Sequence, residues 1–294
     1  MDSGVDARIV YYPDADGLCS VPDAYREYAP RVAVAAEDGS NDVVVVPEVH
    51  TARLRNVGRA QTVVWWLSID NYLVGRTPLR FLRGLMTGNA PLKIAQLKDV
   101  IHCAQSVYAV EYLRRCGISA ALLTDYLRPV HSGNEGIASV VGRGRTVLYN
   151  PKKGYEFTRK LMRIVRADCN WVALEGITAE QLAAVMRGAR LYVDFGPHPG
   201  RDRMPREAAV HGCCVLTGRR GSAANSADLP IPDWYKVDER QSGAVELVGT
   251  MIREILSDYP THYERFSGYR AWIGRQKTEF LDQVHSVFRC GICG

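Results

Sequence analysis

The residues best suited to chemistry lie between Leu191 and Ala223, a stretch rich in arginine. The apolar run Leu191–Phe195 predicts a strand, and Pro205–His211 predicts a short helix. A loop that joins a parallel strand to a helix N-terminus is a common site for phosphorylated ligands, because the helix end attracts anions. Arg201 and Arg203 lie in this loop, so the stretch predicts a binding site for a phosphorylated ligand.

Glu207 is the carboxylate that we single out in the predicted helix. A carboxylate suits the two hydroxyls of a ribose, because it accepts a hydrogen bond from each. Its place in the first helical turn has a second explanation, since the helix dipole favours acidic residues there. Spacing alone does not decide between a ribose ligand and a helix-start acid beside a solvated arginine face.

Two further loops are expected at the same sheet edge as this one. AsnProLysLysGly (150–154) follows the predicted strand Thr146–Tyr149, and ArgArgGlySerAla (219–223) follows Cys213–Thr217. Cations beside a helix N-terminus suit a diphosphate. The candidate residues for binding this ligand are therefore Glu207, Lys152, Lys153, Arg201, Arg203, Asn150, Gly200 and Ser222.

The second half of the chain alternates strands with helices. Strands are predicted at 146–149, 170–174, 191–195 and 213–217. Amphipathic helices lie between them, the one after residue 178 beginning with the capping-box pair Thr178 and Gln181. Such alternation predicts a parallel, doubly wound α/β sheet. Further helices are expected at 245–256 and within 259–288.

The first half contains fewer clear signals. Strands are predicted at 8–12, 43–46, 62–67 and 119–123, with 95–101 as a strand or a turn and 104–116 as a helix. Asp70 follows the 62–67 run at the expected functional edge, where a functional carboxylate and a structural one, in an Asx turn or a helix cap, are equally consistent.

Other candidates in the chain have simpler explanations. Asp14 and Asp16 form an Asp-x-Asp pair, for which a turn is the favoured explanation and a catalytic carboxylate the alternative. His102 and His131 have no partner spacing, which favours structural roles. Cys290 and Cys293 form a lone C-x-x-C at the C-terminus, for which a frayed tail is favoured over metal or redox chemistry.

Composition limits the class of protein. The chain has 294 residues, 47% of them hydrophobic, and a net charge of +5. From Arg143 onward it has 23 Lys or Arg against 17 Asp or Glu, while the first half has 14 against 15. The excess suits an anionic ligand and only weakly indicates nucleic acid. Eight cysteines without framework spacing, no signal-peptide pattern and no membrane-length apolar run predict a cytoplasmic protein.

The Gly- and Ser-rich segment 132–144 predicts a domain boundary. We therefore expect an N-terminal Rossmann-like domain over 1–140. A C-terminal Rossmann-like domain, with the C-terminal helices, is expected over 141–294.

The segment Arg206–Thr217 resembles the end of the donor-site motif of GT-B glycosyltransferases, in which E-A-x-x-x-G precedes a buried strand. The resemblance implies that Glu207 holds the ribose of a nucleotide-sugar donor, with the other candidate residues of that site as donor-binding residues. It also implies a cleft between two Rossmann-like domains, with 1–140 on the acceptor side and 141–294 as the donor domain. The retaining branch has another Glu eight positions earlier, where this chain has Pro199, with His198 beside it as the candidate substitute. This departure leaves retaining and inverting mechanisms both open.

The chain as a whole also resembles a group of bacterial and phage glycosyltransferase-like proteins. Three stretches carry this resemblance: Trp66–Tyr72, Asn150–Gly154 and His198–Ala208. It implies metal-independent transfer of a sugar from a nucleotide diphosphate sugar, with no cofactor. Asp70, His198 and Asp16 are the catalytic candidates.

The acceptor implied by the resemblance is a surface polysaccharide or a lipid-linked glycan. One alternative acceptor is a modified base in DNA such as 5-hydroxymethylcytosine. A second alternative, from a different functional class, is that the chain is a non-catalytic nucleotide-binding module.

Overall fold

The computed structural model describes residues 4–11, 21–26, 28–127 and 142–290. They form two parallel four-stranded β-sheets, one in each half of the chain. The apolar runs of the sequence form the inner strands of both sheets, and helices cover the sheet faces. The α/β class and the two Rossmann-like units are thus confirmed.

The first sheet has the order β1-β2-β3-β4, the order of the strands along the chain. Ser68 and Ser106 begin α2 and α4, since each side chain accepts a hydrogen bond from a first-turn amide. The elements of this half are α1 (Asp23–Arg26), β1 (Val43–Pro47), a 3-10 helix (Glu48–Asn56), β2 (Gln61–Trp66), α2 (Ile69–Gly75), α3 (Pro78–Met86), a 3-10 turn (Ile94–Gln96), β3 (Ile101–Ala104), α4 (Val107–Arg115) and β4 (Ala121–Leu122).

The second sheet has the order β6-β5-β7-β8, so the chain reverses its winding direction between β5 and β7. Thr178 and Gln181 form the predicted capping box of α6. The elements are β5 (Thr146–Tyr149), α5 (Tyr155–Ile164), β6 (Asn170–Ala173), α6 (Ala179–Gly188), β7 (Leu191–Asp194), α7 (Arg203–Val210), β8 (Cys214–Thr217), 3-10 turns (Gly221–Ala224, Asp233–Tyr235), α8 (Ala244–Ser257), α9 (Tyr259–Glu264), α10 (Ser267–His285) and a π-helical turn (Ser286–Cys290).

Two predictions about the first half need correction. The strand expected at 8–12 is only an isolated parallel bridge between Ile9 and Val32, and residue 12 lies outside the described residues. The helix expected at 104–116 begins only at Val107, because Ala104 ends β3, whereas the 95–101 segment, expected as a strand or a turn, does begin with a 3-10 turn. Helices α2 and α3 had no predicted counterpart, since 73–94 lacks a long periodic pattern.

The two halves pack together through the C-terminal helix, which returns to the first sheet. Val284 and Val287, just at and beyond the end of α10, belong to a buried cluster with Val63, Cys103 and Leu123 of the first half. Most of the Gly- and Ser-rich segment that predicts the boundary, 132–141, lies outside the described residues.

A second interdomain contact is polar. The carboxylate of Asp228, in the second half, accepts hydrogen bonds from the amides of Val107 (2.7 Å) and Tyr108 (2.8 Å) at the start of α4. This contact holds the N-terminus of α4, in the first half, against a loop of the second half.

Gly154, at the N-terminus of α5, lies where the chain has no room for a side chain. Its φ of 59° and a built Cβ only 2.6 Å from the carbonyl carbon of Phe195 both exclude a side chain. We expect Gly154→Ala to lower the free energy of unfolding by about 2 kcal/mol, because left-handed backbone strain adds to the clash.

Urea unfolding followed by circular dichroism measures this loss. The control is Gly274→Ala in α10, where a Cβ meets no atom within 4 Å, so a neutral result or a gain of about 0.5–1 kcal/mol is expected. Equal stability of both variants would contradict the close approach of Gly154 to the Phe195 backbone.

Candidate functional site

The candidate site lies at the carboxyl end of the second sheet, where the winding direction changes. The strands on either side of that reversal are β5 and β7. In open parallel sheets ligands bind at this crevice, because the loops after the two strands diverge there. The loops at 150–154 and 195–202 therefore form the expected place for a ligand.

These two loops touch one another directly. A Cβ on Gly154 would meet Phe195 and Gly196, and a Cβ on Gly196 would lie 2.6 Å from the Lys153 side chain. The structure thus brings the loops together as the sequence predicts.

A network of buried and half-buried charged groups lies beside the contact between these two loops. Lys153 Nζ lies 2.5 Å from Asp202 Oδ2 and 3.3 Å from Asp194 Oδ2. His198 Nδ1 lies 2.7 Å from the same Asp202 oxygen, and the Tyr192 hydroxyl donates to Asp194 over 3.0 Å. The network joins the end of β7 to the start of α7.

Asp194, His198 and Asp202 have the types and spacing of metal ligands, with one ligand atom from each lying within 4.8 Å of the others. The ammonium of Lys153, however, already lies against both carboxylates. A cation at this position would compete with that ammonium, so the geometry favours an ion network over a metal centre.

The Asp202 carboxyl has a lowered pKa. Burial would raise it, but the hydrogen bond from His198 and the charge of Lys153 outweigh burial. Asp202 is the N-cap of α7, yet its side chain makes no capping hydrogen bond. Because this carboxylate turns to Lys153 and His198, it leaves the N-terminus of α7 without a side-chain cap.

Glu207 lies buried within α7, and Arg203 lies on its solvent side. Arg203 Nη2 is 3.2 Å from Glu207 Oε1, and the arginine side chain is 56% exposed while that of the glutamate is 1% exposed. The helix begins at Arg203, two residues before the predicted start at Pro205. The pair therefore combines a fixed carboxylate with a cation that solvent and ligands reach.

Arg201 lies buried where the loop 195–202, called the donor loop after the role predicted from the sequence, meets the C-terminal helix. Its guanidinium carbon is 4.5 Å from the ring centroid of Trp272 in α10, and its Nε is buried without a hydrogen-bond partner in the described part of the chain. Burial and the nearby Arg206 charge lower its pKa. Because the Nε of this buried guanidinium lacks a partner among the described residues, it is a donor that could serve an anion.

The remaining donor-binding candidates shape the loops. Ser222 Oγ donates to the Gly200 carbonyl (2.6 Å), and the Ser222 amide donates to the His198 carbonyl (3.0 Å). The Asn150 side chain accepts from the Lys152 amide (2.9 Å), and the Lys152 side chain is exposed beside Glu175. Ser222 and Asn150 thus act on loop conformation.

The first sheet contributes its own edge to the site. A Cβ on Gly200 would lie 2.2 Å from the Leu67 carbonyl oxygen at the end of β2, so the donor loop abuts the first half. Asp70, in the first turn of α2, accepts a 2.9 Å hydrogen bond from the Tyr108 hydroxyl. Burial and the Asp70 charge raise the pKa of Tyr108 to about 12, so this hydroxyl stays a donor.

Some candidates fall elsewhere. Asp14, Asp16, His131 and Cys293 lie outside the described residues. His102 is buried, accepts a hydrogen bond from the Trp66 indole and contacts the Leu97 carbonyl, which is the structural role that its isolation in the sequence favours.

Sequence reasoning missed several residues that build the site. Asp194 ends an apolar strand and Asp202 precedes a helix, so the signal that identified Asp70 could have found both. Trp272 and Asp228 had no such signal, because α10 and the 225–232 loop reach the site only through the tertiary fold.

Comparison with known proteins bears on the fold. No protein-family model and no curated protein matches the chain. Among solved structures, TarM of S. aureus in complex with UDP is similar with a TM-score of 0.62 and 11% identity, over 86% of this chain and 56% of that one. Anabaena HepE in complex with UDP gives 0.57 and 12%, over 88% of each chain.

A third similar structure is the UDP-forming trehalose-phosphate synthase from Burkholderia vietnamiensis, with a TM-score of 0.56 and 10% identity, over 86% of this chain and 73% of that one. The chain thus spans little more than half the length of TarM. These structures have the GT-B fold, and this chain has it as well.

The ion network predicts a pH-dependent contribution to stability. Because the pKa of Asp202 is lowered below its ordinary 3.8 in the folded state, its contribution is complete above that value and is lost as the pH falls through the folded-state pKa. We expect Asp202→Asn to cost about 2 kcal/mol at pH 7, the order of hydrogen bonds to charged groups, and much less near pH 3.

Urea unfolding of wild type and variant at both pH values measures the difference. Glu246→Gln on the exposed side of α8 is the control and should follow wild type at both. A cost for Asp202→Asn that does not change with pH would contradict the charged network.

Proposed function

We propose that the chain is a glycosyltransferase that moves a sugar from a nucleotide diphosphate sugar to an acceptor without a metal ion. The observation that carries the proposal is the uncapped N-terminus of α7, with Arg201, Arg203 and Glu207 around it. A helix N-terminus flanked by guanidinium groups suits a diphosphate.

Two similar structures support the choice of nucleotide. HepE and TarM, which share this fold, are both described in complexes with UDP, and HepE also with UDP-glucose. A uridine nucleotide is therefore the first donor to test in this chain.

In the proposed complex, Glu207 accepts hydrogen bonds from the ribose hydroxyls. Arg201 and Arg203 contact the diphosphate, with the exposed Lys152 at its margin, while Lys153 stays paired with Asp194 and Asp202 and holds the loop in place. As the glycosidic bond to phosphate breaks, negative charge accumulates on the departing diphosphate. Fixed cations and helix amides stabilise that charge, which is the electrostatic role that a metal has in other transferases.

Asp70 is the proposed base for the acceptor. Its carboxylate lies at the edge of the first sheet, and the donor loop abuts the end of the preceding strand through Gly200. Tyr108 donates to one of its oxygens, which orients the carboxyl group. His198, held between Asp194 and Asp202, is proposed to position the donor loop.

The donor assignment predicts a specific loss of nucleotide affinity. We expect Glu207→Gln to weaken UDP binding about ten-fold or more in calorimetry, because its charged hydrogen bonds to the ribose are lost. Glu264→Gln, an exposed substitution on α9, should bind as wild type.

Addition of a chelator should leave the wild-type affinity unchanged. If no uridine, guanosine or other nucleotide diphosphate binds to wild type, or if the Glu207→Gln variant binds equally well, the donor site is wrong.

The acceptor base predicts a separation of binding from turnover. Asp70→Asn should retain UDP affinity within about two-fold, yet lower sugar transfer by roughly 10²–10⁴-fold, the usual contribution of a general base. Tyr108→Phe should cause a smaller loss, because only the orientation of the carboxyl group is relaxed.

UDP release from UDP-sugar, measured with and without acceptor, checks this prediction. Unchanged transfer in Asp70→Asn would assign the base elsewhere. Nucleotide binding without any turnover in wild type would instead indicate a non-catalytic binding module.

A further inference from the structure

The first half carries an unusual helix, α3, whose apolar side faces solvent. Leu79 and Met86 are 81% and 83% exposed, and Leu82 and Leu85 are 59% and 53% exposed. Leu79, Leu82 and Met86 follow the spacing i, i+3, i+7, so they share one side of the helix. No residue of α3 is buried.

The opposite side of α3 faces the protein. A Cβ on Gly84 would lie 2.9 Å from the Cα of Ala90, and the Arg76 guanidinium lies 4.9 Å from the Phe81 ring centroid. The helix therefore rests on the body through Gly84 and Phe81, and this orientation exposes the leucines. Leu73 and Val74 of the adjoining α2 extend the exposed apolar surface.

The chain segment that contains this surface carries charge of one sign. Between Asn71 and Lys98 the chain contains five Lys or Arg and no Asp or Glu. Arg80 and Arg83 flank the apolar stripe, are exposed, and form no ion pair with any described residue. Cations beside exposed leucines are typical of helices that lie in the interface of an anionic membrane.

We propose that α3 docks the protein on the surface of an anionic lipid bilayer, with Leu79, Leu82, Leu85 and Met86 entering the interface. Arg80 and Arg83 then contact lipid phosphates. Nucleic acid would meet the same cations, but protein surfaces that bind it are polar and strongly charged, whereas here large apolar side chains occupy the centre of the patch. The structure contains no described helix long and apolar enough to cross a membrane.

The exposed surface of α3 lies close in the chain to Asp70, the proposed acceptor base. Helix α2 begins at Ser68, carries Asp70 in its first turn and runs for about 10 Å before α3 follows. Docking would thus bring the acceptor side of the cleft to the membrane. On the proposed transferase function, this placement favours an acceptor sugar linked to a lipid.

Flotation of the full chain with vesicles tests the docking surface. We expect binding to vesicles of phosphatidylcholine mixed with phosphatidylglycerol. The affinity for vesicles of phosphatidylcholine alone should be lower by about ten-fold or more. Leu79→Gln with Met86→Gln should lower the affinity for the mixed vesicles at least ten-fold through lost apolar burial. Arg80→Glu with Arg83→Glu should do so through charge, since each cation contributes about five-fold.

Matched controls keep the test specific. Leu247→Gln on α8 removes a leucine that is 53% exposed, and Lys160→Glu reverses an exposed charge on α5; both should float as wild type. Equal flotation of the α3 variants and the controls would overturn the proposal, as would a self-association on size exclusion that the α3 variants abolish. So would salt-sensitive binding to duplex DNA without vesicle binding.

The two proposals fail separately. The α3 variants should bind UDP as wild type does, because their substitutions lie away from α7. Vesicle binding by a chain that binds no nucleotide would leave the docking surface intact and remove only the transferase function and the lipid-linked acceptor.

Discussion

The rest of the structure depends on one buried arginine, Arg206, which links α7 to the first half, to α10 and to the loop before α7. Its guanidinium donates to Asp125 of the first half (2.8 Å), to Gln276 of α10 (3.0 Å) and to the Arg201 carbonyl in the donor loop (3.0 Å). A buried cation is stable only when it is paired and hydrogen-bonded. The position of α7 therefore depends on the C-terminal helix and on the first half together.

Internal contacts also fix the loop that precedes α7. Lys153, Asp194, His198 and Asp202 satisfy one another below the loop, while Ser222 fastens it from the side. With these groups engaged with one another, the N-terminus of α7 lacks a side-chain cap, and Arg203 stays exposed beside Glu207. Fixed donors of this kind need little rearrangement when charge develops on a leaving group.

The two halves of the chain differ in how their surfaces are used. In the second half, the apolar side chains of the helices largely enter the core, as in α8 with Val248, Ile252 and Ile255. In the first half, α3 rests on the body through a glycine and a half-buried phenylalanine, and its leucines face outward. Among the described residues, the exposed apolar face of α3 thus distinguishes the first half from the second.

The sequence by itself determined the alternation of strands and helices in the second half. It also determined the capping box of α6 and the meeting of two loops at one sheet edge. These features are local, because hydrophobic periodicity, caps and turns act over a few residues. For the same reason the sequence alone places Glu207 and the arginines at the start of a helix.

Tertiary structure alone decided what those side chains contact. Lys153 could have remained free for a phosphate, but the fold places it between two carboxylates more than 40 positions away. Asp228 reaches the amides of α4 across 121 positions, and Trp272 reaches Arg201 because α10 returns toward the first half. No local pattern encodes such pairs, since they depend on the path of the whole chain.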